Sequence, residues 1–286
     1  MANLQKGDSK LLNAWAFYDW ANSVYSLVIS SAVFPIFYEA LFSERSHYIT
    51  VFGFSLKKSA LISFVTAFAF LVVAFISPIL SGISDYVGNK KSFMKFFCYL
   101  GALSCIGLYW FSLDNLYLGL VFYFLGLVGF WGSWVFYNSY LPDIAFPNQQ
   151  DAISAKGFSY GYVGSVILLI VNLAMIMIPD VFGISGTKGE AAMIAMRYSF
   201  VMVGIWWILF SQYTYYYLPK GNKIIAANLK KHILFNGFKE LKKVWYLLAE
   251  NSALKKYLAS FFVYSMAVQT VMLIATYFGA QEIQWA

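Results

Sequence analysis

Seven long apolar stretches run through this 286-residue chain, separated by polar gaps. Each is long enough to cross the hydrocarbon core of a bilayer as an α-helix, which takes roughly 20 mostly apolar residues. A helix is required there because an unpaired backbone group in lipid has no water to satisfy it. The stretches cover approximately residues 14 to 40, 58 to 83, 93 to 113, 116 to 141, 157 to 179, 195 to 218 and 257 to 280. The sequence therefore predicts an all-α, polytopic membrane protein.

The composition supports this class, because 60% of the residues are hydrophobic and only 12% are charged. An average soluble domain carries about 25% charged residues. The first stretch exceeds the apolar core of a signal peptide, which has roughly 7 to 15 residues, so we interpret it as a retained helix. Aromatic residues near the ends of the stretches, such as Trp110, Trp131 and Trp134, are interpreted as an interfacial belt without a binding role.

Lysine and arginine residues fall mainly in every second gap, and this bias predicts the orientation. With the N-terminus in the cytoplasm, the inner segments hold 15 of the 20 cations and the outer segments hold five. The net charge of +7 is then explained by the anionic inner leaflet of the bilayer, and no nucleic-acid partner is expected. The cation bias therefore predicts a multi-pass integral membrane protein with a cytoplasmic N-terminus.

A short polar turn follows the second apolar stretch. It contains an acid at the end of a helix, glycines that permit a reversal, and two lysines at the inner surface; these are Gly82, Asp85, Gly88, Lys90 and Lys91. From the residues alone, it is either an ordinary charged turn or a functional loop. The turn resembles the loop signature of the major facilitator superfamily. It departs from that signature at Tyr86 and Asn89, where cations are usual.

Three further segments resemble the vacuole-effluxer family of that superfamily, whose members include the autophagy-associated amino-acid effluxer of fungal vacuoles. The segments are Trp15 to Ser23, Tyr137 to Ile144 and Lys156 to Tyr162. The resemblance implies two six-helix halves with the substrate held between them. Residues 1–218 are expected to form the first half, 219–256 a basic cytoplasmic linker, and 257–286 the first helix of an incomplete second half. The chain is therefore expected to be truncated.

A polar stripe on the first stretch is the main candidate for a substrate pathway. Its members recur at intervals of three or four residues and so share one helical face; they are Asp19, Asn22, Ser23, Ser26 and Ser30. An ionisable group in a span is costly unless it faces the bundle or a wet cavity. The alternative for Asp19 is a helix-start acid, stabilised by the helix dipole and paired with Lys10 or a neighbouring helix. A titrating Asp19 would permit proton coupling.

Three amides in or near the spans are further candidates for the pathway: Asn138, Asn172 and Gln269. Buried amides need hydrogen bonds, so each one either clamps two helices or faces a ligand. Asn172 and Gln269 are the better candidates for pore lining. Asp143, at the end of the fourth stretch, is predicted to form a gating salt bridge with the Gly82 to Lys91 loop, and its alternative role is a helix stop.

The sequence predicts a secondary transporter of a small solute, with amino acids suggested by the resemblance. No cofactor, metal site or ATP-binding loop is expected, because the sequence contains no cluster of metal ligands and no phosphate-binding motif. A membrane-embedded enzyme would need converging catalytic groups, which the spans do not offer. The other alternative is a non-transporting interaction protein that uses an amphipathic segment at residues 231 to 248.

Overall fold

The computed structural model describes residues 4–42, 48–51, 53–87, 89–219, 242, 246–248 and 250–278. Within these residues, six helices are long and apolar enough to cross a membrane. They are called span 1 to span 6 and cover, in order, Ser9–Leu41, Lys58–Gly82, Lys90–Trp110, Leu116–Ile144, Pro147–Met177 and Lys188–Tyr217. The seventh predicted stretch also forms a helix. The prediction of an all-α, polytopic membrane protein is confirmed.

Span 1 has three parts, which are α1 (Ser9–Val24), a π-helix (Tyr25–Val33) and α2 (Phe34–Leu41). The remaining long helices and one short helix are α3 (Lys58–Val87), α4 (Lys90–Gly107), α5 (Leu116–Ser139), α6 (Leu141–Ile144), α7 (Pro147–Met177), α8 (Lys188–Tyr217) and α9 (Ser252–Phe278). Two 3-10 turns, Leu108–Trp110 and Pro179–Phe182, follow α4 and α7. The predicted amphipathic segment at 231 to 248 lies almost wholly outside the described residues.

Spans 5 and 6 begin about two to three turns before the boundaries predicted from hydropathy, because capping residues extend both helices beyond their apolar portions. Pro147 occupies the first turn of α7, where a missing N–H costs nothing. Thr187 and Glu190 form a capping box at the start of α8, in which the Thr187 N–H donates to Glu190 Oε2 at 3.0 Å.

A two-stranded antiparallel hairpin, which the hydropathy pattern does not predict, follows span 1. It pairs β1 (Tyr48–Val51) with β2 (Phe54–Lys57) and leads directly into α3. Lys58, at the start of α3, is buried and forms an ion pair with Glu39 at 2.5 Å. The Tyr38 hydroxyl also donates to the Lys58 carbonyl at 2.8 Å. These contacts attach the start of span 2 to the end of span 1.

The six spans pack as a bundle in which span 1 contacts spans 5 and 6, span 3 contacts spans 4 and 6, and span 2 contacts span 4. Glycines permit the closest of these approaches. A Cβ atom at Gly129 of span 4 would collide with the backbone of Gly101 in span 3 and would lie 2.7 Å from the Phe97 carbonyl oxygen. Gly129 therefore serves the close packing of spans 3 and 4.

Hydrogen bonds from side chains to main-chain carbonyls fix span 1 within the bundle. In span 6, Thr214 Oγ1 donates to the Ala14 carbonyl at 2.7 Å, and Trp206 Nε1 donates to the Trp20 carbonyl at 3.0 Å. From span 1, Trp15 Nε1 donates to the Tyr137 carbonyl of span 4 at 2.9 Å. Span 1 is thus attached to two neighbours by directional bonds in addition to apolar packing.

The two ends of the bundle are closed differently. At the end that holds residues 4 to 13, called the N-terminal pole, lysines bond to helix ends. At the opposite pole, buried aromatic rings fill the interior; they are Phe34, Phe37, Tyr38, Phe111, Tyr123 and Phe200. Phe34 stacks on Tyr123 with ring centroids 4.3 Å apart, and Phe37 meets Phe200 edge to face at 5.1 Å.

Candidate functional site

A cavity of about 370 Å³ lies between span 1, span 4, span 5 and α9. Its polar wall comes from span 1 and its aromatic wall from spans 4 and 5. The lining residues are Asp19, Asn22, Ser23, Ser26, Leu27, Ser30, Ser31, Phe130, Trp131, Trp134, Phe158, Tyr162, Val268 and Gln269. Its volume falls within the range of about 300 to 1,000 Å³ that small-molecule binding sites occupy.

The predicted polar stripe forms one wall of this cavity, together with Gln269 from α9. Asp19 is only 4% exposed, and its Oδ2 accepts a hydrogen bond from the Tyr137 hydroxyl at 3.1 Å. The neighbouring helix therefore supplies a partner for this carboxylate, and that partner is a neutral phenol. Asp19 sits near the N-terminal pole end of the stripe, about three helical turns before Ser30.

Asn22 lies one turn beyond Asp19 and is 1% exposed. Its Oδ1 accepts from Ser23 Oγ at 3.4 Å, whereas its Nδ2 has no hydrogen-bond partner among the described residues. A buried donor without a partner costs about 1–3 kcal/mol. Asn22 lines the cavity with other atoms, because its Nδ2 is itself buried.

The far part of the polar wall belongs to the π-helix of span 1. The Phe34 N–H bonds to the Ile29 carbonyl, five residues earlier, and Ser31 Oγ donates to the Ser26 carbonyl at 3.0 Å. Short π-helical segments within α-helices occur often at functional sites. The sequence carries no clear signal for this departure from α-helical geometry, and it was not predicted.

Glycines of span 5 make room for the polar wall. A Cβ atom at Gly157 would lie 2.8 Å from Asp19 Oδ2 and 3.1 Å from the Tyr137 hydroxyl oxygen. A Cβ atom at Gly161 would lie 2.5 Å from Ser23 Oγ. Only glycine leaves space for both polar groups at this interface, so the G-x-x-x-G pattern of span 5 shapes the site as well as the packing.

Tyr137 holds a fixed position beside Asp19. Its ring stacks on Trp15 with centroids 4.3 Å apart and planes 12° from parallel, while Trp15 Nε1 bonds to its carbonyl. Tyr137 was noted in the sequence only as part of a family segment, with no role of its own. The sequence cannot pair it with Asp19, because the contact joins helices 118 residues apart in the chain.

Five aromatic side chains face the polar stripe across the cavity: Phe130, Trp131, Trp134, Phe158 and Tyr162. Trp131 and Trp134, which the sequence analysis interprets as belt residues, both line the cavity. Their spacing offered a signal, since Phe130 and Trp134, like Phe158 and Tyr162, are four residues apart and share a helical face.

The other two predicted amides do not line the cavity. Asn138 is exposed at the end of α5. Asn172 is 0% exposed in span 5, and neither Oδ1 nor Nδ2 has a partner among the residues that the structure describes. The structure therefore brings Asp19, Asn22, Ser23, Ser26 and Gln269 together and leaves Asn138 and Asn172 apart.

The loop after span 2 contacts the ends of two other spans at the N-terminal pole. Lys90 Nζ lies 2.8 Å from Asp143 Oδ2 and donates to the Ser139 carbonyl at 3.2 Å. Lys91 is 7% exposed, and its Nζ donates to the Leu218 carbonyl at 2.7 Å, just beyond the end of span 6. Gly82 lies in the last turns of α3, while the Asp85 side chain and Gly88 lie outside the described residues.

Metal-ligand clusters of three or more His, Cys, Asp or Glu residues are absent from the described part of the chain. Both cysteines, Cys98 and Cys105, are free and buried in span 3. The chemistry available in the cavity is therefore that of one carboxylate, amides, hydroxyls and aromatic rings.

Comparison with known proteins places these features in a family. The chain is 32% identical over 284 residues to an uncharacterized MFS-type transporter, YxiO, of Bacillus subtilis, covering 97% of this chain and 62% of that protein. It is 31% identical over 175 residues to an uncharacterized protein of Aquifex aeolicus, covering 60% of this chain and 41% of that protein. The chain thus spans less than two thirds of the length of both relatives, and no solved structure matches it. The family model described as "Vacuole effluxer Atg22 like" matches residues 7–286, and the chain belongs to that transporter family.

Proposed function

We propose that this protein is a secondary active transporter that moves a small solute across a membrane by alternating access. The observation that carries the proposal is the cavity, in which the carboxylate of Asp19 and the polar stripe of span 1 lie opposite aromatic rings within a membrane bundle. Membership of a transporter family supports it. The resemblance to an amino-acid effluxer suggests amino acids as candidate solutes.

Asp19 is the candidate coupling group. It is a buried carboxylate whose partner, Tyr137, is neutral, and exchange of a proton at Asp19 would change the charge of the cavity during each cycle. The Lys90–Asp143 ion pair is the candidate gate at the N-terminal pole, which the cation bias assigns to the cytoplasm.

Solute counterflow in membrane vesicles tests this proposal without assuming a direction of transport or a coupling ion. Vesicles that contain the protein are loaded with one unlabelled amino acid or small amine, and entry of the same labelled compound is measured. We expect the Asn22→Ala and Asp19→Asn variants to lose at least tenfold in rate, because each removes a polar group from the cavity.

Exposed residues on span 5 provide matched controls: Asn148→Ala for the amide and Asp151→Asn for the carboxylate. Both are expected to retain the wild-type rate, and all four variants must reach the membrane in equal amounts. Wild-type counterflow in the two cavity variants would remove the site assignment. Absence of counterflow for every compound in the wild-type protein would contradict the transport function.

A further inference from the structure

We propose that the Asp19 end of the cavity is a binding subsite for an organic ammonium group, so that the transported solute is a small amine. This inference rests on the proposed transport function and narrows its substrate class. Two independent features of the cavity wall support it: its lone carboxylate and its aromatic rings.

The charge of the cavity is negative. Among the described residues that line it, Asp19 is the one charged side chain. The nearest lysine in sequence on span 5, Lys156, donates to Asn13 Oδ1 at 2.7 Å and lies over the Tyr160 ring, so it is directed at other groups. A buried carboxylate is costly unless a positive charge or a proton accompanies it. An ammonium group on the solute would provide the missing positive charge.

The aromatic wall adds a second preference for a cation. Trp131 and Trp134 of span 4 lie across the cavity from the polar stripe, with Phe158 and Tyr162 of span 5 beside them. The faces of aromatic rings attract cations, tryptophan most strongly, and ammonium groups in proteins are commonly bound by such rings. An isolated carboxylate would suit any cation, whereas a carboxylate within an aromatic cavity favours an organic one.

This arrangement does not require a carboxylate on the solute. No cation lies among the described lining residues, so none is available to pair with an anionic group of the solute. We therefore expect an amino alcohol to bind at least as well as the corresponding amino acid. Ammonium binding at Asp19 also differs from simple protonation, because it depends on the chemical identity of the solute.

Ligand-dependent thermal stability of the purified wild-type protein tests the inference directly, since a ligand that binds only the folded state raises the midpoint of unfolding. The probes are phenylalaninol, which carries an ammonium group and a hydroxyl, and two analogues without the amine: 3-phenylpropan-1-ol and 3-phenylpropanoate. Sodium chloride is the inorganic cation control. We expect phenylalaninol alone to raise the midpoint in a saturable manner.

One variant locates the effect. Asp19→Asn is expected to abolish the phenylalaninol shift. Asp151→Asn is the matched control and should bind as the wild type does. The comparison of amine and alcohol in the wild-type protein needs no variant, so a folding defect in Asp19→Asn leaves the test intact.

Equal shifts from phenylalaninol and 3-phenylpropan-1-ol would overturn the inference, because the ammonium group would then be irrelevant. A saturable shift from sodium chloride that matches the phenylalaninol shift would assign Asp19 to an inorganic cation and also overturn it. No shift from phenylalaninol, together with measurable counterflow of a solute without an amine, would refute the ammonium subsite while the transport function stands.

Discussion

Gly157 shows how one hydrogen atom in place of a methyl group can determine the geometry of the cavity. Its missing Cβ leaves the space in which Asp19 Oδ2 meets the Tyr137 hydroxyl. In Gly157→Ala, the new methyl group would lie 2.8 Å from that carboxylate oxygen, closer than van der Waals contact allows. We expect the carboxylate to shift and the counterflow rate to fall at least fivefold while the protein still inserts.

Gly189→Ala is the matched control for this prediction, because a Cβ at Gly189 has no neighbour within 4 Å and this residue is also helical. It should leave both transport and stability unchanged. Equal counterflow rates in the two variants would mean that the exact position of Asp19 beside Tyr137 is not important for transport.

At this scale the sequence predicts one side of the site and misses the other. The spacing of Asp19, Asn22, Ser23 and Ser26 identifies a polar helical face, because neighbours on a helix follow a fixed period. The identity of the opposing residues depends on which helices meet, and periodicity contains no information about that. Tyr137 and the aromatic wall could therefore be assigned to the site only from the structure.

At the level of secondary-structure elements, two lysines at the start of α4 bond to the ends of other helices, and their surroundings differ. Lys91 is buried and bonds to the Leu218 carbonyl at the negative end of the span 6 dipole. Lys90 pairs with Asp143, whose side chain is 51% exposed. We expect Lys91→Met to lower the free energy of unfolding by about 1.5–3 kcal/mol, as for bonds to charged groups.

Lys90→Met provides the comparison and should cost less, about 0.5–1.5 kcal/mol, because its ion-pair partner is half exposed and its bond to the Ser139 carbonyl is longer, at 3.2 Å. Thermal unfolding of the two purified variants measures the difference. A lower midpoint for Lys90→Met than for Lys91→Met would show that the exposed pair, and not the helix cap, holds this pole together.

Hydropathy predicts the helices that cross the lipid, but it does not predict the helix ends and the hairpin outside the lipid. Hydropathy located every span, because roughly 20 apolar residues are needed to cross a bilayer. It placed the start of span 5 near residue 157 instead of Pro147, since the first turns of α7 are polar and extend beyond the apolar core. The hairpin of Tyr48–Val51 and Phe54–Lys57 is too short to give a distinct hydropathy signal.

At the scale of the whole molecule, orientation can be tested with the protein's own chemistry. The two native cysteines are buried, so an introduced cysteine can be labelled against a silent background. Asp151 and Lys188 are exposed near opposite ends of the bundle. We expect an impermeant maleimide to label Lys188→Cys in intact cells and Asp151→Cys only after permeabilisation. The reverse pattern would place the N-terminus outside.

Span 1 lines the cavity, and the way it is anchored affects how freely its sequence can change. The bonds from Thr214, Trp206 and Trp15 end on main-chain carbonyls, at Ala14, Trp20 and Tyr137. Every amino acid supplies such a carbonyl, so a substitution at Ala14 keeps the bond as long as the new side chain fits. Evolution could therefore alter what the cavity accepts by exchanging the cavity-lining side chains of span 1, while Thr214 and Trp206 of span 6 keep its register through the Ala14 and Trp20 carbonyls.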